Sequence, residues 1–285
     1  MTNPYIIEAE ELEQILDDED LYIIDTRDAL EYNKSHLPKA VNLPEFFTYL
    51  STVESGGLAA MVHHFSIWLG YAGLRPNHRV ITYEDAMDNG YGQSCRARFM
   101  LKYFGQENVK VLHGGFRTWV AKKLPTTHEQ FVYEDADYVA NLNTKEMITT
   151  EEMLAAIGNP HITILDCRDR AEWLGVSSSP YVIDFCPRKG RIPGAKWIEW
   201  YRTMHIVNSI PYFRSQEEIL QIAAEVGITR DSNVYLYCFK GARSSNMLLA
   251  FKLAGIENVR SYFNAWNDWS RDPSLPIEEG YPDHI

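Results

Sequence analysis

Cys238 stands between a short apolar run, Val234-Tyr-Leu-Tyr237, and a segment that contains Lys240, Gly241 and Arg243 within its next five positions. The run follows the turn-prone Asp231-Ser232-Asn233 and has the β-branched, aliphatic and aromatic content of a buried strand. From about Ser244 the apolar residues Met247, Phe251 and Ala254 recur at helical spacing, and Gly255 supplies a C-terminal cap. The pattern predicts a strand, a tight loop and a helix, with the thiol in the loop. Such a turn directs backbone N–H groups and the positive end of a helix toward its mouth, and Lys240 and Arg243 add full charges. The result is an anion cradle around a sulfur, which favours the nucleophilic thiolate over the thiol. Buried cysteines commonly act as small hydrophobes. Here the basic, glycine-containing loop outweighs that reading.

Loop length restricts the chemistry. Four residues separate Cys238 from Arg243. Cysteine phosphatases use a spacing of five, which closes a ring of donors wide enough for a phosphoryl group, so this ring is one residue tighter. Phosphatase chemistry is disfavoured by this tighter ring.

At 285 residues and 45% hydrophobic, the chain is long enough for two domains with real cores. A net charge of −12 argues against a nucleic-acid surface. No segment approaches the roughly 18 apolar residues of a membrane span, and the N-terminus has neither a basic region nor a long apolar run. The expectation is a cytoplasmic protein. Cys95, Cys167, Cys186 and Cys238 are dispersed, without a CxxC pair or metal-like histidine spacing, so neither a disulfide framework nor a metal site is expected.

The chain also repeats itself. At an offset of 150, Lys102, Gly105, Glu107, Asn108, Val109 and Trp119 match Lys252, Gly255, Glu257, Asn258, Val259 and Trp269. Ile24-Asp-Thr-Arg27 with Glu31-Tyr32 aligns with Leu165-Asp-Cys-Arg168 and Glu172-Trp173 at an offset of 141, and Leu37-Pro-Lys-Ala40 with Ile192-Pro-Gly-Ala195 at 155. The growth of the offset from 141 to 155 places 14 extra residues between Glu172 and Arg191. Strands alternating with helical stretches in each half predict an α/β fold with mostly parallel sheets flanked by helices. The expected domains are 1–130 and 144–285, joined by a polar linker over 131–143 that lacks helical periodicity.

The tail Cys-x-x-Gly-x-Arg-Ser resembles the active-site loop of the rhodanese family of sulfurtransferases. Asp25-Thr-Arg27 through His36-Leu-Pro-Lys-Ala40, and Asp166-Cys-Arg168 with Gly190-Arg-Ile-Pro-Gly-Ala195, resemble its first motif. His113-Gly-Gly-Phe-Arg-Thr-Trp119 and Phe263-Asn-Ala-Trp-Asn-Asp-Trp269 resemble its terminal motif. The resemblance implies two tandem rhodanese-like domains and a persulfide on Cys238. A small anionic donor such as thiosulfate would load it, with sulfite leaving, and cyanide, a small thiol or a protein thiol would accept the sulfur. Neither metal nor organic cofactor is implied.

Within that scheme the backbone N–H groups of Phe239, Lys240, Gly241, Ala242, Arg243 and Ser244 stabilise the anionic sulfur, and Lys240 and Arg243 recruit the donor, the alternatives being surface charge or an ion pair with a neighbouring acid and, for Arg243, a structural role at the helix start. Arg188, with Lys189, is either an additional anion contact supplied by the insertion or part of a solvated loop, and Cys186 is a candidate second thiol. For Asp25, Arg27, Asp166 and Arg168 a structural role in holding loops is expected. In the first half Glu84 falls opposite Cys238, within a longer and acidic loop, so only the second half is expected to be active. Cys95 is read as structural.

The family divides between thiosulfate and 3-mercaptopyruvate donors. Mercaptopyruvate enzymes carry a neutral loop and an arginine where this chain has Glu172, whose carboxylate is expected to repel that donor. Thiosulfate is therefore the expected donor. The rivals are mercaptopyruvate transfer, a phosphatase of the same general fold and a non-catalytic binding module.

Overall fold

Two sheets of the same construction underlie the repeat. The computed structural model describes residues 3–50, 56–86 and 89–282. The chain divides into two units, with the break in the middle of the chain falling between Asn143 and Thr144.

The first unit contains β1 (Ile6–Ile7), α1 (Ala9–Gln14), β2 (Leu21–Asp25), α2 (Ala29–Lys34), β3 (Ala40–Asn42), α3 (Glu45–Thr48), α4 (Gly57–Tyr71), β4 (Arg79–Tyr83), α5 (Gln93–Tyr103), β5 (Val109–Leu112) and α6 (Gly115–Ala121). Its five strands lie in the order β1-β5-β4-β2-β3, and every pairing is parallel. Parallel neighbours need long crossovers, which the intervening helices provide while covering the sheet faces. All five residues of β2 are accordingly buried.

After Thr144 come β6 (Met147–Ile148), α7 (Thr150–Ala156), β7 (Thr163–Asp166), α8 (Arg170–Trp173), β8 (Lys196–Trp197), a 3-10 turn (Trp200–Thr203), β9 (Met204–Val207), β10 (Ile210–Phe213), α9 (Gln216–Ala224), β11 (Val234–Tyr237), α10 (Ala242–Leu253), β12 (Val259–Tyr262) and α11 (Ala265–Trp269). The second sheet runs β6-β12-β11-β7-β8, again with every pairing parallel. Local sequence fixes several ends. Thr149 with Glu152, and Ser215 with Glu218, form reciprocal capping boxes that start α7 and α9. The fold is thus two parallel α/β units, the class expected from the alternating pattern.

Two features depart from a simple division at residue 143. The pair β9–β10 turns at Asn208 and Ser209, with φ of 51° and 66°, a pair of values that suits a two-residue hairpin turn. Its segment His205–Tyr212 belongs to the first unit, because Tyr212 shares a hydroxyl hydrogen bond with Thr118 at 2.8 Å and packs its ring edge-on against His113. Nor do residues 131–143 run free as a linker. They lie extended on the first unit, where Ala136 N–H donates to Gly70, Asn141 N–H to Phe104 and Asn143 N–H to Tyr103. Gly105, at φ 97°, permits this approach, since a Cβ there would stand 2.3 Å from the Asn141 carbonyl oxygen.

The Asp-x-Arg segments hold loops in both units, in the same way. Each arginine grips its own aspartate, Arg27 to Asp25 and Arg168 to Asp166, at 2.6 Å. The same Nη2 of each guanidinium also donates to a distant carbonyl, Ser35 at 2.8 Å and Gly190 at 2.7 Å respectively. A buried tyrosine from the neighbouring strand donates to each aspartate: Tyr83 to Asp25 at 2.5 Å, Tyr237 to Asp166 at 2.6 Å. These residues therefore brace the sheet's carboxyl end, where ligands of open α/β sheets bind.

Candidate active site

Strand β11 ends at Tyr237, and Cys238 is the first residue beyond it. Gly241, the residue before α10, takes φ 95°, a left-handed conformation that glycine adopts without strain and that turns the chain back into the helix. The turn brings Gly241 N–H to 3.1 Å from Cys238 Sγ. The loop's outward carbonyls are held as well: Cys238 O accepts from Trp266 N–H at 2.9 Å and Phe239 O from Asn267 N–H at 3.0 Å. With those carbonyls engaged by the residues of α11, the sulfur faces N–H groups at the start of a 12-residue helix. Ser245 Oγ donates to Gly241 O at 2.6 Å, and Ser261 Oγ to Ser244 Oγ at 2.9 Å, tying the helix start to β12.

The arrangement is a thiol at the carboxyl end of a central strand, held against one backbone N–H just before a helix. Rhodanese-like domains match the chain twice, over residues 8–122 and 149–272. The chain belongs to the rhodanese family. A thiosulfate sulfurtransferase of Rattus norvegicus is 27% identical over 88% of this chain and 83% of its own length. A 3-mercaptopyruvate sulfurtransferase of Escherichia coli is 24% identical over 98% and 99%. Among solved structures, an anaerobic ergothioneine biosynthesis enzyme from Chlorobium limicola superposes with a TM-score of 0.83 at 21% identity, covering 98% of this chain and 71% of that one, a likeness of fold. Sulfur transfer is thus the chemistry of the family.

Within the second rhodanese unit, the two expected loop cations have separate fates. Lys240 is half-buried, with Nζ 5.2 Å from the centre of the Tyr181 ring. Arg243 is committed to Glu172 through two contacts of 2.5 and 2.9 Å, and lies 3.1 Å from Asp169. Burial opposes the Arg243 charge, yet Glu172, with smaller contributions from Cys238 and Asp169, holds its pKa well above the ordinary value. Arg243 thus anchors the helix start through Glu172 and Asp169, and its guanidinium is committed to those carboxylates. The same contact corrects the expectation for Glu172, which is buried and paired and is not a free carboxylate facing substrate.

The insertion does pack beside the loop, through different residues from those expected. Tyr181 and Phe185 each set a ring edge-on against Phe239 at 5.6 Å, so Phe239 anchors the insertion with its side chain. Arg188 is not an anion contact: its guanidinium is spent on the carbonyls of Ser270, Leu275, Trp269 and Asp272. Lys189 pairs with Asp184 at 2.6 Å. Cys186 is buried, 3.8 Å from Asn267 Oδ1, and Arg271 donates toward its sulfur. Ala242 is buried at the first position of α10. Among the described residues there is no group of three or more His, Cys, Asp or Glu able to hold a metal, and no helix long and apolar enough to cross a membrane.

Glu84 occupies the matching position in the first unit, and it fills its own cradle. Its carboxylate accepts from Ser94 N–H at 2.5 Å, Ser94 Oγ at 2.8 Å and Gly92 N–H at 3.2 Å, at the start of α5. Glu84 O in turn accepts from Phe116 N–H at 2.8 Å, the counterpart of the tether on Cys238. Burial pushes the Glu84 pKa up to about 8, against the lowering effect of those donors. A carboxyl that binds its proton more tightly folded than unfolded stabilises the fold at low pH, and that stability is lost as pH rises through about 8. Thermal unfolding of the first unit is therefore expected to weaken by several kcal/mol between pH 5 and 9, and Glu84→Gln to flatten that dependence. An unchanged pH profile in the variant would remove Glu84 as its source.

Proposed function

We propose that this chain moves sulfane sulfur from thiosulfate to a thiophilic acceptor through a persulfide on Cys238. The reading is carried by the Gly241 N–H on Cys238 Sγ within a short loop whose first carbonyls are tied away. The Cys238 thiolate attacks the outer sulfur of thiosulfate, the S–S bond breaks, and sulfite departs with its electron pair. The N–H groups of residues 239–244 stabilise the terminal sulfur left on the cysteine, preorganised as in an oxyanion hole. Cyanide, a small thiol or a protein thiol then attacks that sulfur and restores the thiolate. Phe239, Gly241, Ala242 and Ser244 act through their backbone, Lys240 meets the donor, and Arg243 holds the helix start and adds its charge to the field at the sulfur. A reducing compartment such as the cytoplasm suits a working thiolate. Mass spectrometry after mixing with thiosulfate should find one added sulfur atom on Cys238; a loaded Cys186, or no loading at all, would overturn the reading.

Mercaptopyruvate is the second candidate donor, and the ion pair bears on it. A donor carboxylate needs a cation outside the loop, but Glu172 stands where the mercaptopyruvate enzymes have an arginine and already engages Arg243. Lys240, half-buried beside the Tyr181 ring, is the loop cation assigned to a compact dianion. The kcat/KM for thiosulfate should exceed that for 3-mercaptopyruvate, and Lys240→Gln should lower the thiosulfate value about tenfold, the worth of one half-screened charge contact. Side-by-side kinetics with one acceptor decide this: a preference for mercaptopyruvate defeats the charge argument and leaves the persulfide standing.

A further inference from the structure

Cys167 has no part in that chemistry, yet the sheet sets it beside Cys238. Strands β7 and β11 pair in parallel with Val234 opposite Thr163 and Tyr237 opposite Asp166, a constant offset of 71 that makes Cys167 and Cys238 the next rung. The ladder continues to that point, since Cys167 N–H donates to Tyr237 O at 2.9 Å. Side chains of one rung share a face and successive rungs alternate. Tyr237 and Asp166 hydrogen-bond on one face, so the two cysteines lie together on the other.

Adjacent strands lie about 4.8 Å apart, within the Cα separation of roughly 4.4–6.8 Å that a disulfide requires. A second observation agrees with the register. The Cys167 thiol is fully buried, and its ionisation is opposed first by that burial and next by negative charge on Cys238, so the two sulfurs sense one another. The sheet itself does not require a cysteine there. The same rung of the first unit holds Thr26 and Glu84, with the same N–H bond, Thr26 to Tyr83 O at 2.9 Å.

We propose that Cys167 is the resolving thiol of Cys238, closing a reversible disulfide when a peroxide oxidises the reactive sulfur. The proposal rests on the reading of Cys238 as a reactive thiolate. In the first step the Cys238 thiolate attacks a peroxide oxygen and hydroxide or alkoxide leaves, giving the sulfenic acid. In the second, the Cys167 sulfur attacks the Cys238 sulfur, the S–O bond breaks, and the hydroxyl leaves as water with the Cys167 proton. Two electrons pass from the two thiols to the peroxide. An external dithiol then reduces the bridge by exchange, itself becoming a disulfide. Burial keeps Cys167 protonated and unreactive until Cys238 becomes electrophilic, and disulfide closure intercepts the sulfenic acid before it passes to the irreversible sulfinic acid.

The test exposes the reduced full-length protein to a molar excess of hydrogen peroxide and maps it by mass spectrometry under non-reducing conditions. The expected result is loss of two hydrogens, a cross-link between Cys167 and Cys238, and sulfur transfer that stops and then returns with dithiothreitol. Cys167→Ser, and Cys167→Thr with the residue of the first unit, should retain thiosulfate turnover before oxidation. After it they should carry sulfinic acid on Cys238 and recover at least about tenfold less activity than the native protein. Cys186→Ser should behave as native. Sulfinic acid on native Cys238, a cross-link to Cys186 or Cys95, or equal recovery in both Cys167 variants would each overturn the proposal. Loading by thiosulfate is read on unoxidised protein: sulfur gained without a later cross-link defeats only the resolving role, and a cross-link without loading defeats only the sulfur-transfer reading.

Discussion

Cys238→Ser is expected to reduce sulfur transfer to the uncatalysed background while leaving the thermal midpoint within a few degrees of native. An alcohol oxygen neither ionises near neutral pH nor holds a transferable sulfur, so the loss is of the bond-forming atom and not of a fraction of its reactivity. The exchange is nearly isosteric, and the surrounding framework does not use the sulfur: the backbone of Cys238 is tied to Trp266, and Gly241 N–H can donate to oxygen as well. The measurements are turnover with thiosulfate and cyanide, the mass after donor exposure, and a melting curve. Residual turnover above a few per cent of native, with the fold intact, would move the reaction to another group.

The second large effect is expected at Glu172. Replacing it by alanine leaves the Arg243 guanidinium buried without its main counter-charge, and breaking a buried pair in this way costs about 3–5 kcal/mol. For a unit of this size that corresponds to a fall in midpoint on the order of 10 °C. Activity should fall with it, because Arg243 fixes the first turn of α10 and so the N–H groups around Cys238. The double variant Glu172→Leu with Arg243→Met removes both charges and should regain most of the stability, since a packed apolar pair can replace a buried ion pair. It should not regain full activity, because the Arg243 contribution to the field at the sulfur is gone. If Glu172→Ala melts like the native protein, the pair does not hold the loop.

The strand, loop and helix around Cys238 were legible because each is written locally: a buried run ending at Tyr237, a glycine that permits the left-handed turn, and helical spacing beyond it. Parallel α/β architecture and its duplication were legible for a similar reason, as alternation of element types and recurrence of whole motifs. What remained hidden was pairing at a distance. Glu172 and Arg243 are 71 residues apart, so an ion pair for Arg243 could be raised from the sequence but its partner could not be named, and Glu172 alone reads as a charge facing substrate. Arg188 misled because a cation in a polar insertion looks exposed, while carbonyl acceptors carry no side-chain signal. Residues 131–143 misled likewise, since a segment held by backbone bonds can be polar and aperiodic and still be packed. Gly105 was the available clue, a position where only a missing Cβ lets another chain segment approach.

The carboxylate of Glu84 in its own cradle has a thermodynamic consequence. Convergent N–H groups at a helix start repel one another and demand a negative partner, so an empty cradle is a cost that some solute must relieve. The first unit has its acceptor covalently attached, at an effective concentration no dissolved ion approaches, so its loop is filled without a dissolved anion, and it is the proton on Glu84, held up to about pH 8, that answers to the solution. In the second unit the group at that position is the Cys238 sulfur, which accepts from Gly241 N–H, and on the proposed reading a dissolved anion completes the rest of the arrangement. Under the proposed function, an anion bound in the second unit is coupled to its folding stability by mass action, while the first unit is coupled to pH through Glu84.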